Sequence, residues 1–132
     1  MTKTRKRKKS VSDSRLMKAW RLAVLAHWNY TDPISGRYDP SGESLQCHHI
    51  VGRRHLLLRW DYRNGIPLTI ESHQYAHTGA GNAEVRDLVD ADYLDSMERY
   101  TAKDYFSAHG INDSQWRIAK LEELKGVTGE SR

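Results

Sequence analysis

Two pairs of histidines have the spacing of a metal site. His48 and His49 are adjacent in LQCHHIV, and His73 and His77 are four residues apart in ESHQYAHTG. Residues four apart on a helix share a face, so the imidazoles of His73 and His77 are predicted to converge on one ion. Neighbours on a strand point to opposite sides, so one histidine of the first pair can complete the site and leave the other free beside it.

Three imidazole ligands with a free imidazole beside them are typical of a hydrolytic metal centre. An unperturbed imidazole has a pKa of about 6.5, so a neutral ring next to a bound phosphate can accept a proton from water near neutral pH. Because histidines bind metal only when neutral, the metal affinity is predicted to fall on acidification through about pH 6. The alternative for any single histidine is a structural role, but four of them in this spacing favour a common site.

The elements that must position these histidines are a hairpin and the helix after it. Residues 45–51 (LQCHHIV) and 66–69 (IPLT) have β-compatible side chains and predict two strands. The long segment between them, residues 52–65 (GRRHLLLRWDYRNG), which we call the excursion, ends in a turn at Asn64-Gly65. A short helix is predicted from Glu71, in its first turn, to just before Gly79.

A longer helix is predicted before this hairpin. Ser12 can cap a helix from about Asp13 to Trp28, in which apolar residues recur every three or four positions and form one buried face. Turn residues crowd residues 31–44, which predicts a loop.

The C-terminal part, residues 82–126, is predicted to be helical. Its last helix starts at Asn112 or Asp113 and ends before Gly126. The final two helices could form a helix-turn-helix, but their acidic balance disfavours a recognition helix in a DNA groove.

Composition restricts the class of protein. The chain has 132 residues, 38% of them apolar, which suits one compact domain without a disulfide framework. The single Cys47 excludes an intrachain disulfide and a cysteine-only zinc site, and it fits a reducing cytosol. The longest apolar stretches, AVLA and LLL, are too short for a membrane span, and no apolar segment of a signal peptide follows the basic N-terminus.

The charge is distributed unevenly along the chain. Residues 1–83 hold fourteen Lys and Arg against six Asp and Glu, whereas residues 84–132 hold seven against eleven. Six of the cations lie in the first nine residues, so residues 1–11 are predicted to form a disordered basic arm. We expect the arm, including Lys6, Arg7 and Lys8, to neutralise nucleic-acid phosphates; the alternative is a solubility tail or a run resembling a nuclear-targeting signal.

Three segments of the chain resemble the ββα-metal finger of HNH endonucleases. They are CHHIVGRR, RWDYRNGIPLT and SHQYAH, in which His49, Asn64 and His73 stand at the positions that name the family. The order and spacing of the histidines are similar to those of the nuclease colicins, while the flanking LLLRWDYRNG and the helical tail look more like small HNH nucleases of bacteriophages. The resemblance implies an α+β fold, with a finger at about residues 45–79 and several helices around it in one domain, residues 12–132.

The resemblance also implies a role for each residue of the site. His48, His73 and His77 would bind the metal, His49 would be the general base, and Asn64 would tie the long loop so that His49 is held in position. The cofactor would be one divalent cation, with zinc, nickel, manganese and magnesium as candidates.

The expected function is cleavage of DNA by a metal-dependent endonuclease, which leaves 5′-phosphate and 3′-hydroxyl ends, in the cytoplasm of a bacterial or phage-infected cell. One alternative is a non-catalytic DNA-binding or packaging-accessory protein whose finger is held by structural zinc. A free His49 beside three ligands disfavours it, because a closed structural site uses four ligands. Another alternative is a toxin domain that needs an immunity partner. Such a toxin domain usually lies at the end of a much longer chain.

Several arginines are candidates for DNA contacts. Arg53, Arg54, Arg59 and Arg63 crowd the excursion between the strands, where guanidinium groups could bind phosphate oxygens; a solvated charged loop is the alternative. His55 in the same segment could contact phosphate, although an exposed loop histidine is the simpler interpretation. His27 and His109 are interpreted as structural.

The chain departs from many HNH domains in lacking a zinc knuckle. Asp32, Ser35, Thr69 and Ser72 stand where its two C-x-x-C pairs would be. Aromatic packing from Trp28, Tyr30 and Trp60 is predicted to replace the knuckle. Cys47 could be a further ligand, but it should point away from the site if His48 points in.

Overall fold

The computed structural model describes residues 10–129. That part of the chain forms seven α-helices, a 3-10 helix and one two-stranded sheet, which confirms the predicted α+β class. None of the described helices has the length and apolar character that crossing a membrane requires. The predicted DNA contacts Lys6, Arg7 and Lys8 lie outside the described residues. In chain order the elements are α1 (Asp13–His27), β1 (Gln46–His49), α2 (Leu56–Arg59), the 3-10 helix (Tyr62–Asn64), β2 (Gly65–Leu68), α3 (Ile70–Ala76), α4 (Gly79–Asp87), α5 (Ala91–Glu98), α6 (Ala102–His109) and α7 (Asp113–Thr128).

The first core lies between α1 and α7. The Ser12 side chain accepts a hydrogen bond from the backbone N–H of Arg15, so α1 begins where the capping pattern predicts. The apolar face of α1 packs against Leu121 and Leu124 of α7. Val11, at the end of the predicted arm, is only 7% exposed and belongs to this core, so the packed chain begins before α1.

The hairpin pairs β1 with β2 in antiparallel register. Gln46 lies opposite Leu68, and His49 lies opposite Gly65. Every residue of β2 is buried, because the second core forms around this strand. Residues from the excursion, α3, α4 and α5 complete that core, which comprises Ile50, Val51, Leu58, Ile66, Leu68, Ala76, Val85 and Leu94.

The excursion between the strands is more ordered than its sequence predicts. It contains α2 and the 3-10 helix, and Gly65 belongs to β2 instead of to a turn with Asn64. A Cβ atom on Gly65 would lie 2.6 Å from the Trp20 ring and 2.5 Å from a Val24 methyl group. Glycine therefore allows α1 to approach β2 closely.

Helix caps move several predicted boundaries. Thr69 caps α3, which begins at Ile70 and has His77 as its C-cap. Gly79 lies just past the end of that helix, as predicted, and it also opens α4, because the Thr78 side chain accepts from the N–H of Gly81 and caps a new helix.

The C-terminal part is helical, as predicted, but its limits are wider. The first of its helices begins at Gly79 instead of near Asn82. Asn112 forms the N-cap of the last one, and α7 continues through Gly126 to Thr128. It ends at Gly129, which has the left-handed conformation (φ 76°) that glycine adopts without strain.

A buried carboxylate joins the 31–44 loop to α3. Asp32 is fully buried, and its carboxylate accepts hydrogen bonds from the backbone N–H groups of Ile34, Ser35 and Thr69 at 2.7–3.0 Å and from the Thr69 hydroxyl at 3.0 Å. Burial alone would raise the pKa of Asp32, but hydrogen bonds from Ser72 and from these N–H groups hold it below its usual value. Asp32 and Thr69, which stand where a zinc knuckle would have cysteines, are therefore joined by hydrogen bonds. The sequence predicts aromatic packing there instead.

Candidate metal centre

Three histidines from β1 and α3 converge on one point. The nitrogen atoms of His48, His73 and His77 all lie within 4.8 Å of one another, and no other such group of His, Cys, Asp or Glu occurs within residues 10–129. The ring centroids are 5.1 Å apart for His48 and His73, 5.6 Å for His48 and His77, and 4.8 Å for His73 and His77. Imidazole nitrogens at this separation can hold a divalent metal ion.

The elements explain why these three rings meet. Alternation along β1 turns His48 towards α3 and its two neighbours towards α1. His73 lies within α3 and His77 is its C-cap in right-handed helical geometry, so the spacing of four places both rings on one face. His48 and His73 are half-buried and His77 is exposed, which leaves the cluster open to solvent on one side.

The cluster favours neutral imidazoles. Burial, followed by the neighbouring His73, His77 and His49, lowers the pKa of His48 to about 4. Burial and then His77 lower the pKa of His73 as well. At His48, protons therefore compete with a metal only well below the pH of about 6 predicted from an unperturbed histidine.

Cys47 lies on the opposite side of the strand from His48. Its sulfur lies 3.8 Å from the Arg21 carbonyl oxygen and packs against the α1 core, and burial raises the pKa of the thiol to about 11. It is therefore not part of the cluster, as alternation along the strand predicts.

His49 lies beside the cluster, and one of its ring nitrogens is hydrogen-bonded to the backbone. It lines the same open cleft as His48 and His77, which has a volume of about 430 Å³. Its Nε2 lies 2.9 Å from the Arg59 carbonyl oxygen. Because a carbonyl oxygen only accepts, Nε2 carries the proton and Nδ1 keeps the lone pair. Burial, together with the charges of Arg53 and Arg59, lowers the pKa of His49 despite this hydrogen bond, so the ring is neutral near pH 7.

The ring of His49 is also held by Trp20. The two rings stack at a centroid distance of 4.0 Å and an interplanar angle of 7°. The Trp20 Nε1–H donates a 2.8 Å hydrogen bond to the Asp61 carbonyl oxygen, which fixes the indole. The sequence identifies Trp20 only as part of the apolar face of α1, and nothing in its local pattern points to His49.

Asn64 ties the excursion together from within the core. Its side chain is fully buried; Oδ1 accepts from the Val51 N–H at 2.7 Å, and Nδ2 donates to the carbonyl oxygens of Val51 at 2.9 Å and Leu58 at 3.0 Å. Arg59, whose carbonyl holds His49, directly follows Leu58. Asn64 is therefore placed to position His49 through α2.

The four arginines of the excursion have different environments. Arg53 and Arg54 are exposed, and within residues 10–129 their side chains form no ion pair. Arg59 donates through Nε to the Arg53 carbonyl oxygen at 2.8 Å and lies 3.7 Å from the Asp13 carboxylate.

Arg63 is occupied within the fold. Its guanidinium binds both carboxylate oxygens of Asp61 at 2.9 and 3.1 Å, donates to the Tyr93 hydroxyl at 2.7 Å and lies 3.5 Å from Glu123. Tyr93 also donates a short hydrogen bond to Asp61. We name Asp61, Arg63 and Tyr93 the Asp61 cluster. These contacts use Nε and one terminal nitrogen of Arg63, and its side chain is still 35% exposed, so its contact with DNA stays a prediction.

The remaining histidines lie outside the metal cluster. His27 packs edge-on against Trp28 and Tyr62, and His109 stacks on Tyr105. His55 is half-buried and hydrogen-bonded to the Glu98 carbonyl oxygen at 3.2 Å, so it is not the exposed loop residue that its sequence context suggests.

Comparison with known proteins adds no relative. No protein-family model, no curated protein and no solved structure matches this chain. The chemistry of the residues is therefore the basis for a functional proposal.

Proposed function

We propose that this protein is a metal-dependent DNA endonuclease of the HNH type, with β1, β2 and α3 as its ββα-metal finger. One observation carries the proposal: the nitrogen atoms of three histidines lie within 4.8 Å of one another, and two of the three, His48 and His77, line a cleft with a fourth histidine that is not part of their cluster. A set of ligands with a separate base beside it is what hydrolysis of a phosphodiester needs.

His49 is the proposed general base. Its Nε2–H is committed to the Arg59 carbonyl oxygen, so Nδ1 is the atom that accepts the proton from the attacking water. The lowered pKa supplies this lone pair at neutral pH. Stacking on Trp20 and the network of Asn64 hold the ring in one orientation, which favours transfer from a water in a fixed place.

His48, His73 and His77 are the proposed metal ligands. A divalent cation bound there would stabilise the extra negative charge on the phosphate and on the departing 3′ oxygen. Three nitrogen donors favour zinc or nickel as the tightly held ion, while manganese or magnesium remain candidates for supporting cleavage.

DNA is the proposed substrate because of the charges near the cleft. Gly52 lines the cleft, and Arg53 and Arg54 are the next two residues along the chain. Neither guanidinium forms an ion pair within residues 10–129, so both can bind phosphate oxygens. The six cations among the first nine residues would add affinity that is independent of sequence. A purely structural zinc site is less well supported, because His77 is exposed and no fourth ligand joins the three within residues 10–129.

Cleavage of supercoiled plasmid tests the proposal directly. Purified protein would be incubated with plasmid and with Mg²⁺, Mn²⁺, Ni²⁺ or Zn²⁺ in turn, and nicked or linear product is expected with at least one ion. His49→Ala should abolish cleavage but retain zinc binding in calorimetry, because the ring is a base and not a ligand. His109→Ala is the matched control and should cleave normally.

Two outcomes contradict the proposal. One is no cleavage with any ion by protein that binds both metal and DNA. The other is loss of the ion itself in His49→Ala, which would make His49 a ligand and leave the site without the proposed base.

A further inference from the structure

The segment that follows β1 lines two clefts: the one lined by His48, His49 and His77, which we name the histidine cleft, and a second one. The volume of the second cleft is about 330 Å³, within the range of small-ligand sites. Its lining includes Arg54, His55, Glu98, Arg99 and Tyr100, and we name it the Arg54–Arg99 cleft. Gly52 lines the histidine cleft and Arg54 lines this one, so the Cα atoms of these two residues are two peptide steps, at most about 7 Å, apart.

The charges of this cleft favour an anion. Arg54 precedes α2 and Arg99 is the C-cap of α5, and within residues 10–129 neither guanidinium forms an ion pair or a hydrogen bond. In contrast, Arg63, Arg86 and Arg117 are each paired with a carboxylate. Glu98 supplies the only carboxylate of this lining, so the lining keeps an excess of positive charge.

The walls of the cleft are fixed by His55. Its Nε2 lies 3.2 Å from the Glu98 carbonyl oxygen and so joins the start of α2 to the end of α5. Its other nitrogen, Nδ1, is buried and has no hydrogen-bond partner among the described residues. Because Nε2 donates to a carbonyl oxygen, Nδ1 is an acceptor that a water molecule satisfies and a phosphate oxygen does not. The His55–Glu98 hydrogen bond links two walls of the cleft in the absence of a ligand.

We propose that the Arg54–Arg99 cleft binds one nucleotide unit of the DNA strand, next to the phosphate that reacts at the histidine cleft. The guanidinium groups of Arg54 and Arg99 together bind its phosphate. The ring of Tyr100, which is 47% exposed, packs against its deoxyribose. Because lining residues of the two clefts lie only two positions apart along the chain, neighbouring nucleotides of one strand can occupy both. This inference rests on the proposed nuclease function, because that function supplies the strand.

DNA binding by paired double variants tests the cleft. Fluorescence anisotropy of a labelled duplex would be measured at several salt concentrations in the full-length His49→Ala protein, with a gel to confirm that the duplex stays intact. Arg54→Ala/Arg99→Ala would be compared with Arg15→Ala/Arg37→Ala, which removes two exposed arginines that form no ion pair within residues 10–129.

The cleft variant should bind DNA about tenfold more weakly at 0.1 M salt, and its slope of log affinity against log salt should fall by about 0.9, the value for one phosphate. The matched control should lose no more than about twofold, because its charges lie outside the cleft. Arg54→Lys/Arg99→Lys should recover the salt slope but only part of the affinity, because lysine keeps the charge and loses the planar fork.

The tyrosine contact has its own control. Tyr100→Ala should weaken binding about threefold to tenfold and Tyr100→Phe should not, because packing needs the ring and not the hydroxyl. Tyr38→Ala, at a tyrosine that is 59% exposed elsewhere, should bind normally.

The outcomes separate this proposal from the nuclease proposal. If the parent protein cleaves plasmid but Arg54→Ala/Arg99→Ala binds DNA like the matched control, the cleft proposal is wrong and the nuclease proposal stands. If the parent does not cleave but the cleft variant loses affinity and slope as described, the cleft binds DNA and the chemistry is wrong. A parent that does not bind DNA contradicts both.

Discussion

Two clusters of polar side chains lie near the hairpin, one of His48, His73 and His77 and the other of Asp61, Arg63 and Tyr93. In the Asp61 cluster a buried carboxylate faces a guanidinium and a phenol that both donate to it. Burial alone would raise the pKa of Asp61, but the hydrogen bonds and charges of Arg63, Lys120 and Tyr93 lower it. The Asp61 carboxylate, which burial alone would destabilise, is thus stabilised by its partners within the fold.

The histidine cluster is organised in the opposite way. Three groups of the same kind share one small space, and no carboxylate is part of their group. Burial and mutual repulsion lower the pKa of His48 and leave neutral lone pairs next to one another. A cation supplied from outside would complete this arrangement. The comparison indicates that the paired charges of the Asp61 cluster stabilise the packing around it, while the three histidines have no charged partner among themselves and could hold a metal ion.

The largest expected effect is on the folded state, from Asp61→Asn. The Asp61 side chain is 1% exposed, so its loss leaves Arg63 and Tyr93 without their buried partner. We expect the free energy of unfolding to fall by about 3–5 kcal/mol, measured by urea denaturation. Asp95→Asn, which removes an exposed carboxylate 3.9 Å from Arg86, should change it by less than about 0.5 kcal/mol. Equal effects of the two variants would mean that the Asp61 cluster does not stabilise the fold.

The next effect is on metal binding, from His73→Ala. Removing one of three ligands should weaken zinc affinity by about 100-fold, or about 2.7 kcal/mol, in calorimetric titration. The stability of the chelator-treated protein should change little, because His73 has no hydrogen-bond partner to lose among the side-chain contacts of the described residues. His109→Ala should keep full zinc affinity. A His73→Ala protein that binds zinc as tightly as the parent would exclude the three-histidine site.

The pH dependence of stability distinguishes the two clusters. Between about pH 6.5 and pH 4, His48 takes up a proton in the unfolded chain but not in the folded one, because its pKa in the fold is about 4. The chelator-treated protein should therefore lose stability as the pH falls through this window, on the order of 2 kcal/mol once the shift is discounted for partial solvent exposure.

Asp61 should contribute no slope in that window. Its pKa is lowered in the fold, so its contribution is complete above the unfolded value of 3.8 and is lost only below it. Thermal melting of the parent, His48→Gln and His109→Gln at several pH values provides the measurement. The slope should diminish in His48→Gln alone, and an unchanged slope would assign it to other groups.

The smallest expected effect comes from Trp20→Phe. The phenyl ring can still stack on His49, but the hydrogen bond from Nε1–H to the Asp61 carbonyl oxygen is lost. We expect a loss of about 1 kcal/mol in unfolding free energy and a modest fall in the rate of plasmid cleavage. Trp116→Phe, at a half-buried tryptophan on α7, is the control for ring size. A larger loss of rate in Trp116→Phe would contradict a positioning role for Trp20.

Local patterns predicted much of the fold. The Ser12 cap, the two strands and the Asn112 cap are encoded within a few neighbouring residues, and the structure confirms them. The structure also confirms a helix that ends just before Gly79. The predicted end at Gly126 is wrong, because a glycine stops a helix only where no packed face continues it.

The candidate site divides in the same way. The spacing of four between His73 and His77, and the opposite directions of Cys47 and His48, follow from the geometry of a helix and a strand. Neither Trp20 nor Arg63 could be assigned from sequence. Trp20 stacks on His49 and Arg63 donates to Tyr93, and each of these partners lies about thirty residues away with no local period relating them. Only the other partner of Arg63, Asp61, is near in sequence.

The sequence by itself therefore determined which side chains share a face and which of them have metal-binding chemistry, because those properties depend on backbone geometry over one or two turns. Only the tertiary structure decided that His48 completes the cluster while His49 is held between Trp20 and the Arg59 carbonyl oxygen. It also decided that Arg63 forms an ion pair with Asp61, whereas Arg54 and Arg99 line one cleft and form no ion pair within residues 10–129. These outcomes depend on how α1, the excursion and the C-terminal helices pack together, which is a property of the whole chain.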